Sequence, residues 1–266
     1  MKKAGIVILI IMAAVGASMY SSYQEYKERL AAASRQTANN QSTTDNYQSS
    51  TTTNKAKAWP MLKEGQTEQE IANDLLAKNY YFVVDGSGSM DHSDCSGGLS
   101  KMQAAKNALV EFARNIPADA NVGVVAFDRN GISERMPMQL KNETAFNDAV
   151  QGVYQGSGTP LHSSIDIAFN KITEQGRKQL GYGEYNIIIV TDGAASSGED
   201  PTNLVNEIIN NSPVLIHTIG FCLDDNHSLN QEGRTYYKAA DNIESMRQGL
   251  DDILAESEQF TVTDFQ

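Results

Sequence analysis

Apolar and polar residues fall along this chain in long blocks. Met1-Lys2-Lys3 leads into an apolar run from Ala4 to Ala17, and residues 37–54 are dominated by Ser, Thr, Asn and Gln. Beyond residue 67 the pattern becomes that of a folded domain. Tyr80–Val84, Val122–Phe127, Ile187–Val190 and Val214–Phe221 are apolar runs of strand length, rich in aromatic and β-branched residues. Such runs read as strands buried on both faces. Between them apolar residues recur at helical spacing, as in Met102, Ala105, Leu109 and Phe112, and again in Leu161, Ile165, Ala168 and Ile172. Helices are predicted from the cap Ser100 to Ile116, from Asn142 to Val153, from Thr159-Pro160 onward, from Asp200-Pro201 to Asn210, and over Glu232–Ala240 and Ile243–Glu256. Thr67-x-x-Glu70 has the form of a capping box and predicts a short helix through Ala77. Arg129–Leu140, interrupted by Pro137, reads as a weaker edge strand. Strands alternating with helices imply an α/β fold: a doubly wound, mostly parallel sheet flanked by helices, Rossmann-like, over residues 67–258, with a tail at 259–266.

The first quarter of the chain is of another kind. Its positive start and apolar core mark residues 1–20 as a signal peptide or transmembrane anchor. The span is about 17 residues, at the lower limit for crossing a bilayer. Tyr20, Tyr23 and Tyr26 could form an interfacial belt. An uncleaved anchor would leave Lys2 and Lys3 cytoplasmic and the rest outside, at the cell membrane. A cleaved signal would release the domain. A pilin-like leader cut after Gly5 is a third reading, weakened by Ile10 where pilins usually carry glutamate. Residues 21–66 read as a helical stalk followed by a linker too polar to bury a core. As a coil, its 35–57 segment would reach on the order of 25–30 Å.

Charge separates the two parts. The 266-residue chain carries a net −12, and residues 1–58 hold seven Lys/Arg against three Asp/Glu, so the remainder carries −16. An acidic domain without a clustered basic face argues against a nucleic-acid partner.

The candidate chemistry lies where strands end. Asp85-Gly86-Ser87-Gly88-Ser89 follows the first strand, and its two-residue spacing can turn Asp85, Ser87 and Ser89 toward one point. All three offer oxygen, which suits a hard cation. Taken alone, such a loop is more often a turn, with Gly86 and Gly88 supplying backbone freedom. Two later stretches change that: Gly156-Ser157-Gly158-Thr159-Pro160 offers a flanked hydroxyl, and Thr191-Asp192-Gly193 ends the strand that begins at Ile187. In a doubly wound sheet, ligands bind outside the carboxyl ends of the strands, where Asp85, Thr159 and Asp192 all fall.

With these residues in this order, the chain resembles the von Willebrand factor type A domain family, which includes the inserted domains of integrins. The resemblance covers about residues 68–258. It implies a metal-ion-dependent adhesion site for Mg2+ (or Mn2+ or Ca2+), with Ser87, Ser89 and Thr159 as direct ligands and Asp85 and Asp192 acting mostly through water. It further implies a protein partner whose Glu or Asp carboxylate completes the coordination. No enzyme is expected, because no histidine or glutamate stands at a defined offset from the three motifs. Two other readings stay open: a scaffold or assembly factor for an envelope or pilus-like complex, and a metal-dependent hydrolase.

Asp128, at a strand end, reads as a solvated carboxylate rather than a further ligand, and His217 as a satisfied buried histidine. The loop 193–200 reads as mobile. Cys95 and Cys222 should both lie on the ligand face, and in an exported domain they can pair. A zinc site from His92, Cys95, Cys222 and His227, or two free thiols, are the alternatives.

Overall fold

The structure, a computed structural model, describes residues 59–60, 71–156, 158–223, 225–231 and 233–258. The apolar segment 1–20, most of the 21–66 region and the tail lie outside them. Among the described residues no helix is long and apolar enough to cross a membrane.

In chain order the elements are β1 (Lys78–Asp85), α1 (Lys101–Asn115), β2 (Asn121–Asp128), β3 (Gly131–Leu140), α2 (Glu143–Gln151), α3 (Leu161–Lys178), β4 (Glu184–Thr191), α4 (Thr202–Asn211), β5 (Leu215–Phe221), β6 (Tyr236–Ala240) and α5 (Ile243–Glu258). The strands form one six-stranded sheet in the order β3-β2-β1-β4-β5-β6. All neighbours are parallel except β3, which pairs antiparallel with β2 at one edge. A two-faced apolar strand is stable only if both faces are covered. On β1, Tyr80, Phe82 and Val84 pack into one core with α1, α2 and α5, whereas Tyr81 and Val83 pack into the other with α3 and α4. The expected doubly wound architecture is therefore the observed one.

Helix starts follow the capping residues. The Ser100 side chain accepts from the Gln103 amide at α1, and Asn142 accepts from Ala145 at α2. Two expected helices are not helices over the residues described; their starts, 67–70 and 232, lie outside them. Tyr236–Ala240, placed in a helix over Glu232–Ala240, is strand β6, paired in register with His217–Phe221. Over residues 71–77 the chain makes bends: the Ala72 amide donates to Lys178 O, and the Asp74 carboxylate accepts from the Leu76 amide at 2.9 Å. Local side-chain bonds of that kind compete with a helical ladder.

The chain leaves β1 toward β2 on one side and later returns to β4 on the other. The loops following β1 and β4 thus diverge at the switch point, which opens a crevice at the carboxyl edge of the sheet.

Candidate functional site

Asp85 ends β1 in the sheet centre and is fully buried. Its carboxylate accepts from the Ser87 amide at 2.7 Å and from the Thr191 hydroxyl at 2.5 Å. Burial pushes its acidity constant up to about 6, with the neighbouring charge of Asp192 adding to the rise and the Thr191 and Ser87 bonds opposing it. A negative charge here is short of positive compensation. Gly86 is needed for space rather than for backbone freedom. A Cβ there would lie 2.5 Å from Phe127 O and 2.8 Å from the Asp128 Cβ. Neither Gly86 nor Gly88 has a positive φ.

Beyond Gly86 the chain makes one short 3-10 turn over Gly88–Asp91, which folds the two serines onto each other. The Ser87 and Ser89 hydroxyl oxygens are 3.0 Å apart. Ser89 donates to Asp192 Oδ1 at 2.7 Å, and Ser87 lies 3.5 Å from the same oxygen. Thr159 is buried, and its hydroxyl faces the same small space: a Cβ on Gly193 would lie 3.8 Å from Ser89 Oγ and 3.8 Å from Thr159 Oγ1. The structure therefore brings Ser87, Ser89 and Asp192 into contact, places Thr159 beside them, and sets Asp85 beneath through Ser87.

The supporting contacts were not evident in the sequence. Ser196 clamps Thr159 from both sides of the peptide: its hydroxyl accepts from the Thr159 amide at 2.8 Å, and its amide donates to Thr159 O at 3.0 Å. Glu199 caps α3, accepting from the Ser163 amide and hydroxyl at 2.8 Å each, where the helix's own first residues provide no side-chain cap. The 193–200 loop, expected to be mobile, is tied down by these bonds. Asp128 is not solvated either. It is fully buried, ion-paired with Arg135 at 2.9 Å, and accepts from the Asn130 and Tyr154 amides.

The most consequential residue missed is Lys101. Its side chain is buried, with Nζ 3.0 Å from Asp192 Oδ2 and 3.5 Å from Asp94 Oδ2. The signal was present: a lysine in the first turn of a helix opposes the helix dipole and calls for an anionic partner.

Cys95 and Cys222 form a disulfide, with Cα atoms 6.1 Å apart. It joins the loop after β1 to the end of β5. This removes both thiolates from the zinc alternative and from the free-thiol reading. Among the described residues no group of three or more His, Cys, Asp and Glu side chains is placed to hold a metal. His227, weighed as a zinc ligand, instead supports the site. Its Nδ1 accepts from the Leu229 amide at 3.1 Å, so Nε2 carries the proton and donates to Gly193 O at 3.1 Å.

The donor set at the switch point, three hydroxyls and two carboxylates, is all oxygen and fits a hard divalent cation. One oxygen of that set, Asp192 Oδ2, is already paired with the Lys101 ammonium.

The comparisons with known proteins agree with this architecture. The chain is 25% identical over 158 residues to YwmD, an uncharacterized protein of Bacillus subtilis (strain 168), covering 55% of this chain and 69% of that one. Among solved structures, BatB from Bacteroides thetaiotaomicron superposes with a TM-score of 0.55 at 15% identity, covering 69% of this chain and all of that one. The vWF domain of the type V pili tip protein Mfa5 from Porphyromonas gingivalis superposes at 0.55 and 14% identity, covering 71% and 99%. The family model of the von Willebrand factor type A domain matches residues 79–262, more than two thirds of the chain, and to that family this protein belongs.

Proposed function

We propose that this domain binds a protein partner through a divalent cation, Mg2+ or its substitutes Mn2+ and Ca2+. Ser87, Ser89 and Thr159 would hold the ion directly, with Asp85 and Asp192 acting through water. Three neutral ligands leave the ion's charge poorly compensated, and a Glu or Asp carboxylate of the partner would supply the balance. The observation that carries the reading is the convergence of the Ser87 and Ser89 hydroxyls on Asp192 Oδ1, with Thr159 Oγ1 facing the same space. Similarity to a pilus tip domain supports interaction between proteins as the role, and fits a domain displayed on the extracytoplasmic side behind residues 1–66. A disulfide fits an oxidising compartment.

Within this reading the cation supplies an electrophilic coordination position, and the residues of the chain orient it. Both ring nitrogens of His227 are already engaged, so it offers no free base at the site.

The test is Mg2+ titration of the full-length chain by calorimetry, followed by titration with a dicarboxylate such as glutarate. Saturable binding of one Mg2+ is expected, lost in Ser89→Ala and Asp192→Ala, with glutarate binding only in the presence of Mg2+. An absence of Mg2+ binding, or glutarate binding unaffected by EDTA, would refute the reading.

A further inference from the structure

Lys101 places a positive charge where local structure does not call for one, and its contact is the buried Asp192 carboxylate. It sits at the first position of α1, where the helix dipole disfavours a cation, and its backbone amide already donates to His92 O at 2.8 Å. Its side chain nevertheless turns inward and stays buried, reaching a carboxylate whose own side chain is fully buried. A buried ammonium is retained only against a strong counter-charge. That counter-charge is Asp192 at 3.0 Å, with the outward carboxylate of Asp94 at 3.5 Å screened by solvent. The two oxygens of Asp192 are thus divided. Oδ2 faces the ammonium, and Oδ1 faces the Ser87 and Ser89 hydroxyls.

The geometry points to Lys101 as a resident monovalent cation that sets the charge balance of the cation cup, weakening its hold on a divalent ion and keeping the loaded cup net positive. This rests on the reading of the preceding subsection. Within the cup itself the buried charges are two carboxylates, Asp85 and Asp192, and one ammonium; the nearby buried Asp128 is balanced by Arg135. The cup alone therefore carries −1, and with a divalent ion +1. Without Lys101 the same values would be −2 and 0. The ammonium and a bound ion would both draw on the Asp192 carboxylate in poorly solvated space, where like charges repel strongly. A loaded cup at +1 would attract an anionic carboxylate from a partner more strongly than one at 0.

The experiment titrates Mn2+ alone into the full-length chain and reads the free-ion electron paramagnetic resonance signal. It compares the wild type with Lys101→Met and with Lys101→Gln, which keeps a hydrogen-bond donor without the charge. Both variants should bind Mn2+ roughly tenfold or more tightly than the wild type. Both should also show a larger Mn2+-induced rise in melting temperature, because Asp192 is left without a counter-charge until the ion arrives. A gain in affinity is not what damage to packing produces. Equal or weaker Mn2+ affinity in both variants, with the wild type binding normally, overturns the role of Lys101 and leaves the cation reading standing. Failure of the wild type to bind Mn2+ overturns both.

Discussion

His217 offers a test of the folded core that is independent of the cation site. It is buried in β5, its Nε2 lies 3.1 Å from Asn186 Oδ1, its ring stacks on Tyr236, and Nδ1 has no partner. Burial pushes its acidity constant down from 6.5 to about 4. The folded state therefore refuses a proton that the unfolded chain accepts below pH 6.5. The stability this histidine allows is intact above that value and is lost as pH falls toward 4. Between pH 7 and pH 4.5 the loss is about 2 kcal/mol, worked from the two acidity constants. Asp85 acts with the opposite sign. Its folded-state constant of about 6 exceeds the ordinary 3.8, so it adds stability on acidification and offsets His217 in the wild type. Replacing His217 by Gln removes one of the two opposing contributions. Urea unfolding in EDTA should then be followed through Trp59, the only tryptophan, which packs edge-on against Tyr185 with centroids 4.7 Å apart. The His217→Gln chain should lose stability at pH 7 relative to the wild type and recover about 2 kcal/mol of that difference by pH 4.5. Stability curves for the two proteins that run parallel across this range would refute the argument, because Asp85 contributes equally to both.

Other expectations follow from single contacts. Replacing Cys95 and Cys222 together by serine should cost about 3–5 kcal/mol by urea unfolding, since the bridge closes a loop with a sequence separation of 127. Gly86→Ala should cost about 2 kcal/mol or more, measured by melting temperature, because its methyl would meet the Phe127 carbonyl oxygen rather than a flexible side chain. Asp128→Ala should cost about 3 kcal/mol by the same measurement, as it strands Arg135 and frees the Asn130 and Tyr154 amides.

The central strands were legible because burial on both faces demands unbroken apolar runs, and β1, β2 and β4 carry them. The candidate ligands were legible because they sit one to five residues beyond those runs or in a glycine-flanked loop. The failures share a cause. Tyr-Tyr-Lys-Ala-Ala contains helix formers, yet pairing with β5 makes it a strand, a tertiary decision that short segments do not encode. Asp128 carries the local signature of a solvated strand end, but its partner Arg135 arrives through the β3 pairing. Lys101, in the first turn of its helix, calls for an anionic partner, but local sequence does not name it: Asp192 stands 91 residues later. The mobility expected of residues 193–200 followed from their small side chains. The bonds from Ser196 and Glu199 that hold the loop go to Thr159 and the start of α3, across a fold boundary the local composition does not reveal.

These supporting bonds bear on how the cup would work. The loop after β1 is anchored by the Cys95–Cys222 bridge, the loop before α3 by Ser196 and by the Tyr154 amide on Asp128, and the loop after β4 by Glu199 and His227. None of these contacts uses a candidate ligand oxygen. The hydroxyls and carboxylates are therefore held near one another before any ion arrives, and an arriving ion has little chain entropy to overcome. In a cup assembled this way, affinity is governed by charge rather than by loop ordering. On the cation reading, control of binding would then rest on the balance among Asp85, Asp192 and Lys101, buried charges that the fold gathers at its switch point.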